Sequence, residues 1–226
     1  MRRGFYRKHT DKNANVKVMN IKKACETLVK EKAPGPSPSF QVFHIIKTLE
    51  LISHALVGRG KLAKELGIGE GATRTLIDRL KDEGIIATSK SGCFLTNRGE
   101  ELWKEAKKVF PSKVELEKSK LTLSTYNIAI LVKGKMARIK LGMEQRDAAF
   151  LSGAKGATTL IMKSGKLVMP SADVNVAEEH PDANEKIMSL LRPKEGDAVI
   201  IGSADTREKA EYGAIAAAWT LLNNCD

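Results

Sequence analysis

The apolar residues between Phe40 and Phe110 change their spacing in an order that few folds satisfy. Phe40, Phe43, Ile46, Leu49 and Ile52 recur at every third residue, which predicts a helix ending near Ala55. After the break Val57-Gly58-Arg59-Gly60, Leu62, Ala63 and Leu66 mark a short helix from Lys61, closed by Gly67. Ile68-Gly69-Glu70-Gly71 leads into a third helix, Ala72–Glu83, with Leu76, Ile77 and Leu80 inward and Gly84 as its stop. Ile85–Ser89 and Cys93–Leu95 read as strands about the turn Lys90-Ser91-Gly92. Thr96 or Asn97 caps a last helix that Pro111 ends.

A helix that buries one face must expose the other. On the third helix the outward set is Gly71, Arg74, Thr75 and Asp78, spaced i, i+3, i+4, i+7. An arginine fork fits guanine O6 and N7, and a threonine hydroxyl reaches a base or a phosphate. Arg79, in the same stretch, joins these candidates. Gly69 and Gly71 keep the helix start free of bulk, so its backbone N–H groups can approach a phosphate. Lys90 and Ser91 sit at the tip of the hairpin, and Arg59 and Lys61 flank the supporting helix, all suited to backbone phosphates. Asp78 and Glu70 oppose a polyanion on the same side.

The stretch GRGKLAKELGIGEGATRTLIDRLKDEGIIATSKSGCFLTNRG, residues 58–99, resembles a winged helix-turn-helix domain. It is particularly similar to the DNA-binding domain of the bacterial central glycolytic gene regulator family, through GR, LA followed by LG, RT, LK followed by GII, and LT before the last glycine. APGPSPSF, residues 33–40, resembles an archaeal family that joins such a domain to a C-terminal domain of unknown function. The resemblance implies an archaeal, cytoplasmic transcriptional regulator whose partner is double-stranded DNA. Because one module contacts few base pairs, a homodimer on two half-sites is expected. The large sugar-phosphate domain of the glycolytic regulator is not implied, since too few residues follow. Winged helices also serve protein–protein contacts, so an interaction module, or an enzyme with a docking winged helix, remains an alternative.

Charge agrees with a polyanion partner. The 226 residues carry a net charge of +11, of which residues 1–39 hold +7. Arg2, Arg3, Arg7 and Lys8 lie before any predicted element and match arms that track phosphates or the minor groove. A helix follows at 21–32, with Ile21, Ala24, Cys25, Leu28 and Val29 on one face. Three prolines in 34–38 then forbid helix, and Ser39 can cap the next one. With 42% apolar residues a packed core is within reach, yet no apolar run approaches ~18 residues, so no membrane-spanning helix is expected. The basic N-terminus lacks the apolar stretch of a secretory signal. Cys25, Cys93 and Cys225 are too few and scattered for a disulfide scaffold, and His9, His44, His54 and His180 form no metal spacing with them.

After a connector at 111–125, residues 126–226 read as one mixed α/β domain, making the whole chain an α+β protein. Strands are expected at 126–132, 136–141, 157–162, 166–169 and 197–201, with helices at 143–153, 183–191 and 206–222 and a loop at 170–182. A strand ending in Gly202, Ser203 and Asp205 just before a helix from Thr206 is where α/β sheets often hold ligands. Asp205 and Glu208 also form a plain capping box. Lys155, between Gly153 and Gly156, adds a candidate anion contact. This domain is expected to sense a small effector, to dimerise, or both. No nucleophile elbow, phosphate loop or zinc-protease motif occurs, so no catalytic residue and no cofactor is assigned.

Overall fold

The computed structural model describes residues 20–30 and 37–222. The basic arm with Arg2, Arg3, Arg7 and Lys8, the segment 31–36 and Cys225 lie outside the described residues.

The first half is built as its spacing predicts. Helix α1 (Ile21–Val29) is capped by Asn20, whose side chain accepts from the Lys22 amide at 2.8 Å. Helices α2 (Val42–His54), α3 (Arg59–Leu66) and α4 (Glu70–Asp82) precede an antiparallel hairpin, β1 (Ile86–Ser89) and β2 (Gly92–Leu95), and then α5 (Asn97–Val109). Of the two candidate caps for α5, Thr96 is the one used, accepting from the Gly99 amide at 3.1 Å. Leu28, Phe40, Ile45, Leu49, Leu62, Leu66, Leu76, Leu80 and Leu102 are all buried, so the apolar stripes of α1 to α5 meet in one core.

The second half is a six-stranded sheet in which every pair is antiparallel. Its order is β3 (Lys113–Leu116), β4 (Tyr126–Val132), β8 (Ala198–Ala204), β5 (Gly156–Lys163), β6 (Lys166–Met169) and β7 (Val174–Asn175). Helices α6 (Met143–Leu151) and α9 (Arg207–Thr220) cover one face. Helix α8 (Pro181–Leu190), with the short α7 (Val176–Glu179) before it, covers the other. Central strand β8 divides its side chains between the two. Ala198, Ile200 and Ala204 join the core with α9, while Val199 and Ile201 join Ile187, Leu191 and Leu160 opposite. A strand buried on both faces reads as a continuous apolar run.

Four expectations need correction. The connector contains β3, an edge strand whose Val114 and Leu116 alternate with Lys113 and Glu115. Residues 136–141 form no strand. Both edges of β4 are already taken by β3 and β8, and Met136–Arg138 is a single 3₁₀ turn instead. The loop at 170–182 holds β7, α7 and the start of α8, which opens on Pro181. The last strand runs on from Ala198 to Ala204, so Gly202 and Ser203 lie within it.

The two halves share one core. The apolar cluster of α1–α5 continues into β4, β8, α6 and α9 without a break. At the joint, the Tyr212 hydroxyl donates to the Leu66 carbonyl at 2.9 Å, and its ring packs on Phe43 and His44 with centroids 4.7 and 5.0 Å away. Burial lowers the His44 pKa to about 4, so the ring is neutral at pH 7 and its Nδ1 accepts from the Gln41 amide. Glu211 is buried beside them and binds Lys47 at 2.9 Å and Lys113, while Lys113 and Lys47 also hold Glu50. Burial pushes the Glu211 carboxyl up, but Lys113 and Lys47 outweigh it and hold the group below its ordinary value of 4.5. Stability from this ion pair is therefore complete above the ordinary value and is lost as pH falls through the lower folded one. Glu211→Gln should cost about 3 kcal/mol at pH 7, as broken buried pairs do. Denaturant unfolding against pH should also show a shallower acid limb than the parent chain, and equal limbs would remove Glu211 from this role.

Candidate nucleic-acid interface

Helices α3 and α4 are joined by Gly67-Ile68-Gly69. Gly67 adopts the left-handed conformation at φ 61°, and its amide closes α3 onto Ala63 and Lys64. A side chain there would be strained and would also strike the Glu208 carboxylate of α9. Gly69 caps α4 without a side-chain bond, and nothing crowds Gly69 or Gly71, so the first-turn amides of α4 stand open. Thr73, Leu76, Ile77 and Leu80 turn inward, leaving Gly71, Arg74, Thr75 and Asp78 exposed. The Thr75 hydroxyl donates to the Gly71 carbonyl at 3.1 Å.

The hairpin stands beside this face. Val57 and Cys93 exchange backbone hydrogen bonds of 3.2 and 2.9 Å, which tie β2 to the residue two positions before α3. Within the turn, the Ser91 amide donates to Ser89 Oγ at 3.1 Å, and that hydroxyl donates to the Gly92 carbonyl at 3.2 Å. The result is a groove of about 300 Å³ between α4, the start of α3 and the hairpin. Arg59, Arg74, Asp78, Lys90 and Ser91 all line it. Among the described residues no carboxylate pairs with Arg59, Lys61, Arg74 or Lys90, and Asp78 is the one acid in the lining. Unneutralised cations converging on a concave surface make a site for a polyanion.

Structure and sequence part at several residues. Lys61, Gly71 and Thr75 are exposed but stand outside the groove lining. Arg79 does not join the exposed face of α4. It is 8% exposed, donates from Nη1 to the Leu28 and Lys30 carbonyls at 2.7 Å each, and stands over the Phe40 ring. It ties α1 to α4, which its neighbours along the helix do not reveal. Gly58, Thr88 and Ser89 line the groove and were not expected there. Cys93 is buried, and burial raises its thiol pKa against a smaller opposing effect of Lys81, in keeping with a packing role.

The strand-end site is closed. A Cβ on Gly202 would collide with the Ala210 carbonyl oxygen and the Ala214 nitrogen, so α9 occupies the space a ligand would need. Ser203 is fully buried, its hydroxyl accepting from the Leu123 amide at 3.1 Å. Lys155 and Asp205 do come together, as an exposed ion pair of 2.9 Å. Hydrogen bonds from Lys155 and then Ser124 hold the Asp205 carboxyl below its usual range. Thr206, and not Asp205, caps α9, accepting from the Lys209 amide at 3.3 Å. Among the described residues no helix is long and apolar enough to cross a membrane, and no cluster of His, Cys, Asp and Glu could hold a metal.

Residues 40–110 match the model of the CggR N-terminal DNA binding domain, and residues 123–221 match a domain of unknown function, DUF4443. The solved structure of a hypothetical protein from Pyrococcus horikoshii OT3 is similar at 30% sequence identity and a TM-score of 0.64, covering 81% of this chain and 93% of that one. No curated protein matches the chain. The two chains thus share their fold over most of their length. The chain belongs to the same family as the Pyrococcus protein, with a CggR-type DNA-binding domain at its N-terminal end and a DUF4443 domain after it.

Proposed function

We propose that this chain is a transcriptional regulator of an archaeal cytoplasm that binds double-stranded DNA as a homodimer. Helix α4 enters the major groove, where Arg74 and Thr75 read base edges. Arg59, Lys61, Lys90, Ser91 and the open amides at Gly71 hold phosphates. The observation that carries this reading is the groove in which Arg59, Arg74 and Lys90 converge with no carboxylate paired to any of them. The basic arm, Arg2, Arg3, Arg7 and Lys8, adds contacts that do not depend on sequence. The DUF4443 domain serves dimerisation, effector sensing or both. Helix α6 supports the dimer, because Met143, Phe150 and Leu151 on it are 52, 67 and 87% exposed.

The two arginines separate reading from scaffold. Arg74→Ala should leave the melting temperature unchanged, cost about 1–3 kcal/mol at a specific duplex and relax preference at one base position. Arg79→Ala should instead lower stability by about 2 kcal/mol, since it leaves the buried Leu28 carbonyl and the half-buried Lys30 carbonyl without a charged donor. Fragments selected from genomic DNA by the purified chain supply the duplex, and anisotropy titrations at several salt concentrations supply the affinities. An Arg74→Ala protein with an unchanged base preference would refute the assignment.

Light scattering tests the dimer. Phe150→Glu should convert a dimer to a monomer while leaving the circular dichroism spectrum intact. A parent chain that is already monomeric at micromolar concentration contradicts this part of the proposal.

A further inference from the structure

A second, smaller hollow opens at the joint between the two halves. Ile46, Ala106, Phe110, Ile130, Ile215 and Ala218 line it, drawn from α2, α5, β4 and α9 and the residue after α5. Its volume is about 50 Å³. A single water needs roughly 10–15 Å³ of such room, so the hollow takes a row of about four water-sized groups, which suits a thin aliphatic chain and excludes a sugar or a base. The walls are apolar, and the polar groups stand at the rim: Glu50, Lys107, Ser112 and Lys113.

The charges at this rim do not cancel. Glu50 is held by Lys47 and Lys113, and Glu211 by the same two ammoniums. Lys107 is the cation left over. Its ammonium donates to the Pro111 carbonyl at 2.8 Å and stands 5.9 Å from the centre of the Trp103 ring, and among the described residues no carboxylate pairs with it. The Ser112 hydroxyl beside it makes no hydrogen bond among the described residues. An apolar slot with one surplus ammonium and one free hydroxyl at its mouth is complementary to an amphipathic anion.

We propose that this joint binds a short aliphatic carboxylate, its chain in the slot between α5 and α9 and its carboxylate on Lys107 and Ser112. The site touches both the DNA-binding domain and the DUF4443 domain, so its occupant bears on how the two are held together. Coupling to DNA would follow only if the occupant binds the DNA-competent arrangement and its alternative unequally. Binding itself does not rest on the DNA reading, and it is measured without DNA.

Trp103 lines the slot and reports on it. The full chain is titrated with sodium hexanoate at constant ionic strength while tryptophan emission is followed, with acetate, hexan-1-ol and hexylamine in parallel. Trp103→Phe, which leaves Trp219, assigns the signal. Hexanoate should saturate, with the other three at least tenfold weaker. Lys107→Gln should weaken hexanoate at least fivefold and leave hexan-1-ol unchanged. Ala106→Leu should fill the slot and abolish the response. Ala106 is buried, so that variant is read beside its melting temperature, while the exposed Lys107 decides the charge question alone. A linear, unsaturable response, equal affinity for hexan-1-ol or hexylamine, or indifference to Lys107→Gln overturns the proposal.

Discussion

Glu211 is a carboxylate taken almost wholly out of water, and the architecture depends on the two lysines that meet it there. An unpaired carboxylate in that place would cost several kcal/mol, so Lys47 of α2 and Lys113 of β3 fix α9 against both halves at once. The rest of α9 follows from this double docking. One side carries Ala210, Ala214, Ala217 and Ala218, small enough for the helix to lie on β8 where Gly202 offers no Cβ. Gly213 admits Ala149 of α6 and Ala154 just beyond its end. The other side carries Glu208, Glu211 and Tyr212, which meet Gly67, Lys47 and Leu66. A helix covered on nearly every side shows no amphipathic stripe, and α9 has none.

This docking sets where α4 and the groove beside it sit. Tyr212 and Glu208 touch the last residue of α3 and the glycine after it, and two residues further on Gly69 caps α4. Placement of α4 is therefore tied to the DUF4443 domain by direct contact and not by a free linker. The apolar slot with Lys107 lies on the same joint, bounded by α2, α5 and α9. The two features together put a small apolar hollow and the support of α4 on a single element.

Much of the DNA-binding half was legible because its determinants are local. Spacing, Gly67, Thr96 and Pro111 placed α2 to α5 within a few residues. Arg59, Arg74, Asp78, Lys90 and Ser91 were read from exposed positions on those elements, and they do line one groove. Arg79 escaped because its partners are the carbonyls of Leu28 and Lys30, about fifty residues earlier, and local spacing says nothing of α1 crossing there. Non-local packing also explains the losses in the second half. Lys113–Leu116 alternates charged and apolar residues, as an edge strand does, but four residues of it pass for a connector. Gly202 and Ser203 looked like the opening of a ligand site, whereas small residues are what α9 requires of the strand beneath it. The Glu211 cluster joins residues up to 164 positions apart and leaves no local trace.

Hydrogen exchange of the full chain, with and without a duplex selected by it, tests the central claim most directly. Exchange should slow at the first turn of α4, at the start of α3 and across residues 88–93, the three segments that form the groove. Protection confined to the sheet of the DUF4443 domain, with these three segments unchanged, would contradict it.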